Sequence, residues 1–361
     1  MTDPPLIPSL PPRNGEMKHL RNAIVVLLVL IAFVVALIWK AYFPFRGHDE
    51  LLHVSFDASK SYFGSVDSNF KFEYVGDHGY TTHSAHAGSV QQAMGITSGL
   101  IADIVSFASP MEIEEIRKRT GCINEDWQEQ FPFGSSPFTS VVVFLVRKGN
   151  PKGIEDWNDL IHPNIQVITS DPSISGVGRY SYLASLIAES TMQDTHPRYA
   201  EVLFRRIQIL PMGARSVLKV FLRDKTMDVL ITWESLAIEA ARAASGEDVE
   251  VVYPSISVKA EPVVTLVNCN VERRHTRQPA TAYIDYLFSD NGQQFAALHG
   301  WRPRRPATLR EWQWQFQTTT KLVSIEEQFG SWDEAWQKHF SKKGSFQQIV
   351  QLRQAQKGGS E

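Results

Sequence analysis

Thr139-Ser140-Val141-Val142-Val143-Phe144-Leu145-Val146 is an apolar, largely β-branched run that breaks at Gly149-Asn150-Pro151-Lys152-Gly153. A helical stretch then leads to a second short strand pattern, Ile165-Gln166-Val167-Ile168-Thr169. That strand feeds Ser173-Ile174-Ser175-Gly176-Val177-Gly178, which opens another helix toward Tyr180. Strand, turn, helix, strand, small-residue loop, helix is the repeating unit of an α/β protein, so this stretch decides the fold class. Serines and glycines that open a helix present unpaired backbone N–H groups and hydroxyls at the positive end of its dipole. Such a setting suits an oxyanion. Taken alone, the loop reads as an ordinary βα turn, and its meaning depends on its neighbours.

Outward from this stretch the alternation continues. Leu52, Val54 and Phe56 alternate in a strand ending at Asp57, and residues 102–108 form a short buried strand followed by a helix across 111–119. Residues 227–232 are a strand, after which Trp233-Glu234 open a helix across 236–244. Strands follow at 249–253 and 263–267, then amphipathic helices at 280–288 and 293–298. The expectation is an α/β protein with mostly parallel sheets. Polar or glycine-rich loops recur where strands end: Asp57; His86-Ala87-Gly88-Ser89; the Ser175 loop; Gly213-Ala214-Arg215 after the apolar residues 207–211; and Trp233. Ligands of open α/β sheets collect at the carboxyl ends of strands, so these five loops can converge.

Residues 23–39 are apolar and carry no charge, and Tyr42-Phe43 lie just beyond Lys40. The stretch has about the ~20 residues that a helix needs to cross a bilayer. A cleaved secretory signal is the competing reading, since Arg13, Lys18 and Arg21 precede the run. Trp39-Lys40-Ala41-Tyr42-Phe43-Pro44 holds no convincing small-x-small cleavage site, which favours an uncleaved signal anchor over residues 23–43. Residues 1–22 then read as a cytoplasmic tail. No cysteine lies near the end of the run for a lipid anchor.

About 310 residues remain after the anchor, enough for one two-lobed protein or two modest domains. A formal net charge of -3, with no basic run among aromatics, gives no nucleic-acid surface. The two cysteines, Cys122 and Cys269, read as small apolar residues, with a single bridge outside the cytoplasm as the alternative. The chain has no Gly-x-Ser-x-Gly elbow, no His-Glu-x-x-His and no Gly-x-x-x-x-Gly-Lys-Ser/Thr. Those absences argue against a hydrolase and place any ATPase on a separate chain. His83 and His86 lack a third metal ligand at useful spacing, so no metal site is expected.

Several stretches carry a specific likeness when taken in order. They are Leu51-Leu52-His53-Val54-Ser55-Phe56-Asp57, Ala102-Asp103-Ile104-Val105, Ser136-Pro137-Phe138-Thr139-Ser140, and Val143 through Gly153 with Asp156-Trp157-Asn158-Asp159-Leu160. To these add Ser175-Gly176-Val177-Gly178-Arg179, Gly213-Ala214-Arg215, Asp228 through Glu234, Ala260-Glu261-Pro262 and Arg302-Pro303-Arg304. From Leu51 to about Ile349 the chain resembles the periplasmic sulfate-binding proteins that serve ABC importers.

The resemblance implies a two-lobed periplasmic-binding-protein-like (type II) α/β fold, here preceded by one transmembrane helix. Lobe one would be residues 49–136 plus 258–349 and lobe two residues 137–257, with 350–361 a disordered tail. It also implies a monomer without cofactor that binds sulfate between the lobes and passes it to ABC permease subunits; the apolar run of residues 23–43 adds the expectation that it does so tethered to the membrane. Thiosulfate, another tetrahedral oxyanion or a tethered oxyanion sensor are the alternatives. Carried over by position, Asp57 would offer its backbone N–H, Ser89 and Ser175 their hydroxyls, Gly176, Val177 and Ala214 their backbone N–H groups, and Trp233 its indole N–H. Sulfate at neutral pH is a dianion with no proton to give, so a site made only of donors fits it.

Three departures stand out. Val177 replaces a usual glycine, Ala87 stands in the His-Gly-Gly-Ser motif, and Ser216-Val217-Leu218-Lys219 replaces a Gly/Ser/Thr-rich run. Residues 61–83 match the family poorly. Lys219 reads as part of a solvated helix face, and Arg179 and Arg215 as partners of carboxylates or carbonyls near the cleft.

Overall fold

The computed structural model describes residues 50–74, 80–192, 195–243 and 248–358. The expected cytoplasmic tail and the expected anchor at 23–43 lie outside them; among the described residues no helix is long and apolar enough to cross a membrane.

In chain order the strands are β1 (Glu50–Phe56), β2 (Thr81–Ala87), β3 (Ile104–Phe107), β4 (Phe138–Arg147), β5 (Val167–Ser170) and β6 (Gln208–Leu210). They continue with β7 (Val229–Trp233), β8 (Val249–Val252), β9 (Ile256–Ala260), β10 (Val263–Leu266), β11 (Arg302–Pro303) and β12 (Lys321–Val323). Two sheets result. The first has the order β10-β3-β1-β2; the second runs β12-β9-β4-β7-β5-β6, with β8 and β11 also paired to β4.

β4 organises the second sheet. Nine of its ten residues, Phe138 through Val146, are buried, which is why it reads as a continuous apolar run and not as an alternating one. Along its length it meets β11 at Phe138 and Thr139, β9 at Ser140 and Val141, β7 across Val142–Val146, and β8 across Phe144–Arg147.

All four of those pairings are antiparallel, as is β3 with β10, whereas β1–β2, β1–β3, β5–β6, β5–β7 and β9–β12 are parallel. The sheets are therefore mixed and not mostly parallel. β4, β9 and β10 carry the chain between the two sheets, and the antiparallel pairings all involve them: β4 with β7, β8, β9 and β11, and β10 with β3.

The C-terminal region corrects the expected lobe boundary. β12 pairs with β9, Lys321 opposite Ile256. Beyond it, Phe346 packs on Tyr182 at a ring distance of 5.3 Å, and Tyr182 Oη lies 2.9 Å from Ser345 Oγ. Residues from Lys321 onward thus sit on the second sheet's lobe, where 258–349 was expected to belong to lobe one. The tail expected to be disordered from residue 350 is helical as part of Ser345–Gly358. Phe346 and Ile349 anchor that helix by burial. Arg353 donates to the carbonyls of Phe204 and Ile207, at the end of the helix Tyr199–Arg206, satisfying acceptors that a helix end leaves open.

The cysteines also depart from expectation. Cys122 and Cys269 form a disulfide across a sequence separation of 147, with Cα atoms 4.9 Å apart. Neither is fully buried, so neither serves mainly as core packing. Cys122 follows the helix Pro110–Thr120 and Cys269 is the second residue of the helix Asn268–Arg274; both belong to the first sheet's lobe.

Candidate functional site

Each candidate residue sits at or just beyond the carboxyl end of a strand. β1 ends at Phe56, and Asp57 opens the 3₁₀ turn Asp57–Ser59. β2 runs parallel to β1 with Ala87 opposite Phe56, so Gly88 and Ser89, the cap and first residue of the helix Ser89–Thr97, emerge beside Asp57. On the second sheet, β5 leads to Ser175, which caps the helix Gly176–Thr191. β6 leads to Gly213, which caps the helix Ala214–Arg223, and β7 ends on Trp233 itself.

Close contacts draw these ends together. A Cβ built on Gly176 would overlap Ala108 Cβ and lie 3.5 Å from Ser89 Oγ; one on Gly88 would lie 3.3 Å from the Ile174 carbonyl oxygen. Asp57 Oδ2 accepts from the Arg215 backbone N–H at 3.0 Å, and the Asp57 carbonyl accepts from Arg215 Nε at 2.9 Å. Gly213 is glycine for the same reason, since a Cβ there would overlap Asp57 Oδ2 and sit 2.9 Å from its Cγ. Trp233 packs edge-on to Phe56 at 5.9 Å. Asp57 and Ser89 from one lobe therefore adjoin Ser175, Gly176, Val177, Ala214 and Trp233 from the other. Six of the seven are buried and Asp57 is half-buried.

The hydrogen-bond inventory is donor-rich. Ser175 Oγ accepts from the Gly178 N–H at 3.3 Å, which leaves its own proton free to donate. Ser89 Oγ and Trp233 Nε1 are buried with no partner among the described residues. The N–H groups of Gly176, Val177 and Ala214 lie in first helical turns, where the helix supplies no acceptor and its dipole is positive. A buried donor left unpaired costs roughly 1–3 kcal/mol, so a cluster of them calls for an acceptor. The Val177 side chain belongs to the hydrophobic core, which accommodates the departure from glycine. Lys219 is exposed.

Both arginines are paired with carboxylates, although Arg179 Nη2 is buried with no hydrogen-bond partner among the described residues. Buried Arg179 pairs with buried Glu112 from the other lobe and donates to the Pro172 carbonyl at 3.1 Å; Ser109 Oγ donates to the same carboxylate at 2.7 Å. Arg215 holds Glu239 with two bonds of 2.9 and 2.7 Å and reaches across to Ser61 Oγ at 2.8 Å. The partners Glu112, Glu239 and Ser61 were not singled out from sequence. Contact between residues 67 or 154 positions apart leaves no local pattern to find.

Burial raises the Asp57 carboxyl, opposed by the N–H groups of Arg215, Ala58 and Asp57 that stabilise its charged form. Burial, with help from Lys60 and Arg215, lowers His86 to about 4. Its Nδ1 lies 2.6 Å from Ser55 Oγ. Burial and the nearby His86 lower His53 to about 3. Both imidazoles are neutral at pH 7. His83 lies apart from them, its Nε2 3.5 Å from Glu50.

Residues 70–302 match the family model described as bacterial extracellular solute-binding protein. The sulfate-binding protein of Escherichia coli strain K12 is 37% identical over 307 residues, covering 83% of this chain and 92% of its own length. The thiosulfate-binding protein of Pseudomonas aeruginosa is 35% identical over 304 residues, covering 83% of this chain and 91% of its own. Among solved structures, the sulfate-binding protein SubI from Mycobacterium tuberculosis H37Rv superposes with a TM-score of 0.73 at 29% identity, over 81% of this chain and 99% of that one. The chain belongs to the bacterial extracellular solute-binding proteins and, within them, to the family of the sulfate- and thiosulfate-binding proteins.

Proposed function

We propose that this chain is the extracytoplasmic sulfate-binding component of an ABC importer. It takes the dianion between its lobes through Asp57, Ser89, Ser175, Gly176, Val177, Ala214 and Trp233 and delivers it, as a monomer, to a permease driven by a separate ATPase. The observation that carries this reading is the pair of buried donors without partners, Ser89 Oγ and Trp233 Nε1, from opposite lobes. Both nearby guanidinium groups are already matched to carboxylates. Neutral donors in a low-dielectric site hold a dianion strongly without a compensating cation.

Ser175→Ala and Trp233→Phe each remove one donor from a buried anion and are expected to weaken sulfate binding by about 1.5–3 kcal/mol. Titration calorimetry checks this, and wild-type affinity in both variants would refute the assignment of these two residues. Sulfate affinity is expected to stay nearly flat between pH 6 and 8, since neither sulfate nor the donors titrate there and His53 and His86 are already neutral. Phosphate keeps a proton in this range and needs an acceptor; the one carboxylate among the seven proposed residues, Asp57, already takes the Arg215 N–H on Oδ2. A panel of sulfate, thiosulfate and phosphate therefore ranks the candidates, and phosphate binding as tightly as sulfate would overturn the reading.

Tethering by residues 23–43 belongs to the same proposal. About ten residues, Lys40 to Asp49, separate the apolar run from β1, a reach of at most roughly 35 Å. Held that close, the binding unit works beside its permease at a raised local concentration. The mature protein is expected to stay in membranes after a high-salt wash with its original N-terminus. A soluble form beginning between Ala41 and Glu50 would show the run to be a cleaved signal.

A further inference from the structure

Among the described residues the chain passes between the two sheets three times: from β3 to β4, from β9 to β10 and from β10 to β11. Ser136 stands two positions before β4, Glu261 directly follows β9, and Arg304 directly follows β11. Each belongs to a stretch of the family likeness to which the anion site gives no role: Ser136-Pro137-Phe138, Ala260-Glu261-Pro262 and Arg302-Pro303-Arg304. One guanidinium joins all three. Arg304 Nε donates to the Ser136 carbonyl at 3.1 Å, and one terminal nitrogen donates to Ser136 Oγ and to Glu261 Oε1, both at 2.7 Å. The Arg304 side chain is only 11% exposed. Gln293, fully buried on the helix Asp290–Leu298, makes a second tie. Its Oε1 accepts from the Arg304 backbone N–H at 2.6 Å, and its Nε2 donates to the Pro137 carbonyl at 2.7 Å.

Lobes that open and close turn about the few places where the chain joins them, and atoms near that axis move least. Bonds among the three crossings therefore persist through the motion, while they resist twisting or sliding of one crossing past another. The turn before the first crossing is strained. Phe133 and Ser135 hold φ of 57° and 62° on either side of Gly134 at 66°, a region where a side chain crowds the backbone. Arg304 covers this turn, its guanidinium carbon 5.3 Å from the Phe133 ring centroid. At the second crossing the Glu261 N–H donates to Tyr180 Oη at 3.3 Å. Tyr180 lies on the helix that opens with Gly176 and Val177, and its ring packs edge-on to Trp233 at 5.3 Å. One side chain thus separates that crossing from the proposed anion donors. We infer that Arg304 is a positioning residue for anion capture: by pinning the three crossings to one another, it confines the lobes to a single hinge path. The open form then has little freedom to lose on closing, so less of the anion's binding energy goes into ordering it. This inference rests on the reading that the anion binds between the lobes.

Arg304→Gln in the full chain tests it. Glu261 keeps Lys259 Nζ at 2.9 Å, so the substitution leaves that carboxylate with a cation. Nitroxide labels on the exposed positions Ser98→Cys and Lys219→Cys, one in each lobe, report interlobe distances by pulsed double electron resonance. Calorimetry reports sulfate affinity. Without sulfate, Arg304→Gln is expected to show a broader distance distribution than the parent; at saturating sulfate the two should share one distance. Affinity should fall about tenfold, the size of an ordinary coupling between sites. Unless the broadening and the loss of affinity appear together, the inference is overturned. A distribution that stays broad with sulfate bound overturns it too, since Arg304 would then belong to the static packing. If Arg304→Gln fails to fold, Ser136→Ala removes one bond of the pin without touching a charge. It should shift both readings in the same direction by less, and parent-like behaviour there overturns the inference. A parent that binds no sulfate would sink the proposed function and this inference with it, whereas a parent that binds alongside variants that match it would sink the pin alone.

Discussion

Gly176→Ala is expected to bind sulfate roughly 10²- to 10⁴-fold more weakly than the parent while melting at nearly the same temperature without ligand. The new methyl group would overlap Ala108 Cβ, and the two residues follow β5 and β3, strands of different sheets. Close packing does not yield by the ångström or more that the overlap demands, so the lobes must part instead. Once parted, the proposed donors of Ser89 and Asp57 would no longer reach an anion held on the Ser175 loop. Losing about two bonds to a charged ligand, each worth roughly 1.5–3 kcal/mol, gives the stated range. The unchanged melting temperature is expected on the premise that the free protein rests with its lobes open. Calorimetry and thermal melts of the same preparation decide the matter. Unchanged affinity would show that the lobes do not close on this contact. A large drop in the ligand-free melting temperature would show that the contact belongs to the static core.

The second large effect concerns stability alone. Glu234, directly after Trp233, is fully buried, and its carboxylate oxygens accept from Arg302 Nε at 2.6 Å and from its terminal nitrogen at 2.7 Å. Burial pushes the carboxyl above its ordinary value of 4.5 while Arg302 pulls it down. Arg302→Ala removes that pull and leaves a buried charge with no cation and only the Tyr253 hydroxyl to pair with, which costs about 3–5 kcal/mol. Urea denaturation at pH 7 measures it. The sign with pH follows by linkage. In the variant the folded protein holds the Glu234 proton more tightly than the unfolded chain, so the deficit grows as pH rises above 4.5 and shrinks as pH falls toward it. Adding Glu234→Gln to Arg302→Ala should recover part of the loss. If the single variant melts like the parent at pH 7, the pair is not the buried, fully engaged ion pair described here.

What could be read from the sequence divides along physical lines. β4, β5 and β7 announce themselves because strands buried on both faces need long apolar, β-branched runs. The loops after β1, β2, β5, β6 and β7 were visible as small or polar residues at strand ends, and these bring the seven candidate residues together. β2 was missed because Thr81-Thr82-His83-Ser84-Ala85-His86-Ala87 is polar and only half-buried along its length, so it carries neither an apolar run nor an alternation. The helix Ser345–Gly358 was missed because its polar residues hide the few anchors, Phe346, Ile349 and Arg353, that dock it. Ion pairs such as Arg179 with Glu112 depend on which loops meet in space. That is a property of the sheet order and not of any local stretch.

The bond between Cys122 and Cys269 bears on how the protein is made. The chain visits the first sheet's lobe twice, and nearly all of the second sheet is threaded between the visits. During export from the N-terminus, Cys122 reaches an oxidising compartment with no thiol of its own chain to meet until 147 further positions have followed. Since the chain has two cysteines in all, an early oxidant cannot drive it into a wrong internal pairing. The available errors are capture by another molecule or by a small thiol, both of which exchange can reverse. A secretory apparatus handling this protein therefore needs an oxidant but no proofreading of connectivity, and closure of the bond reports that the second visit to the lobe is complete.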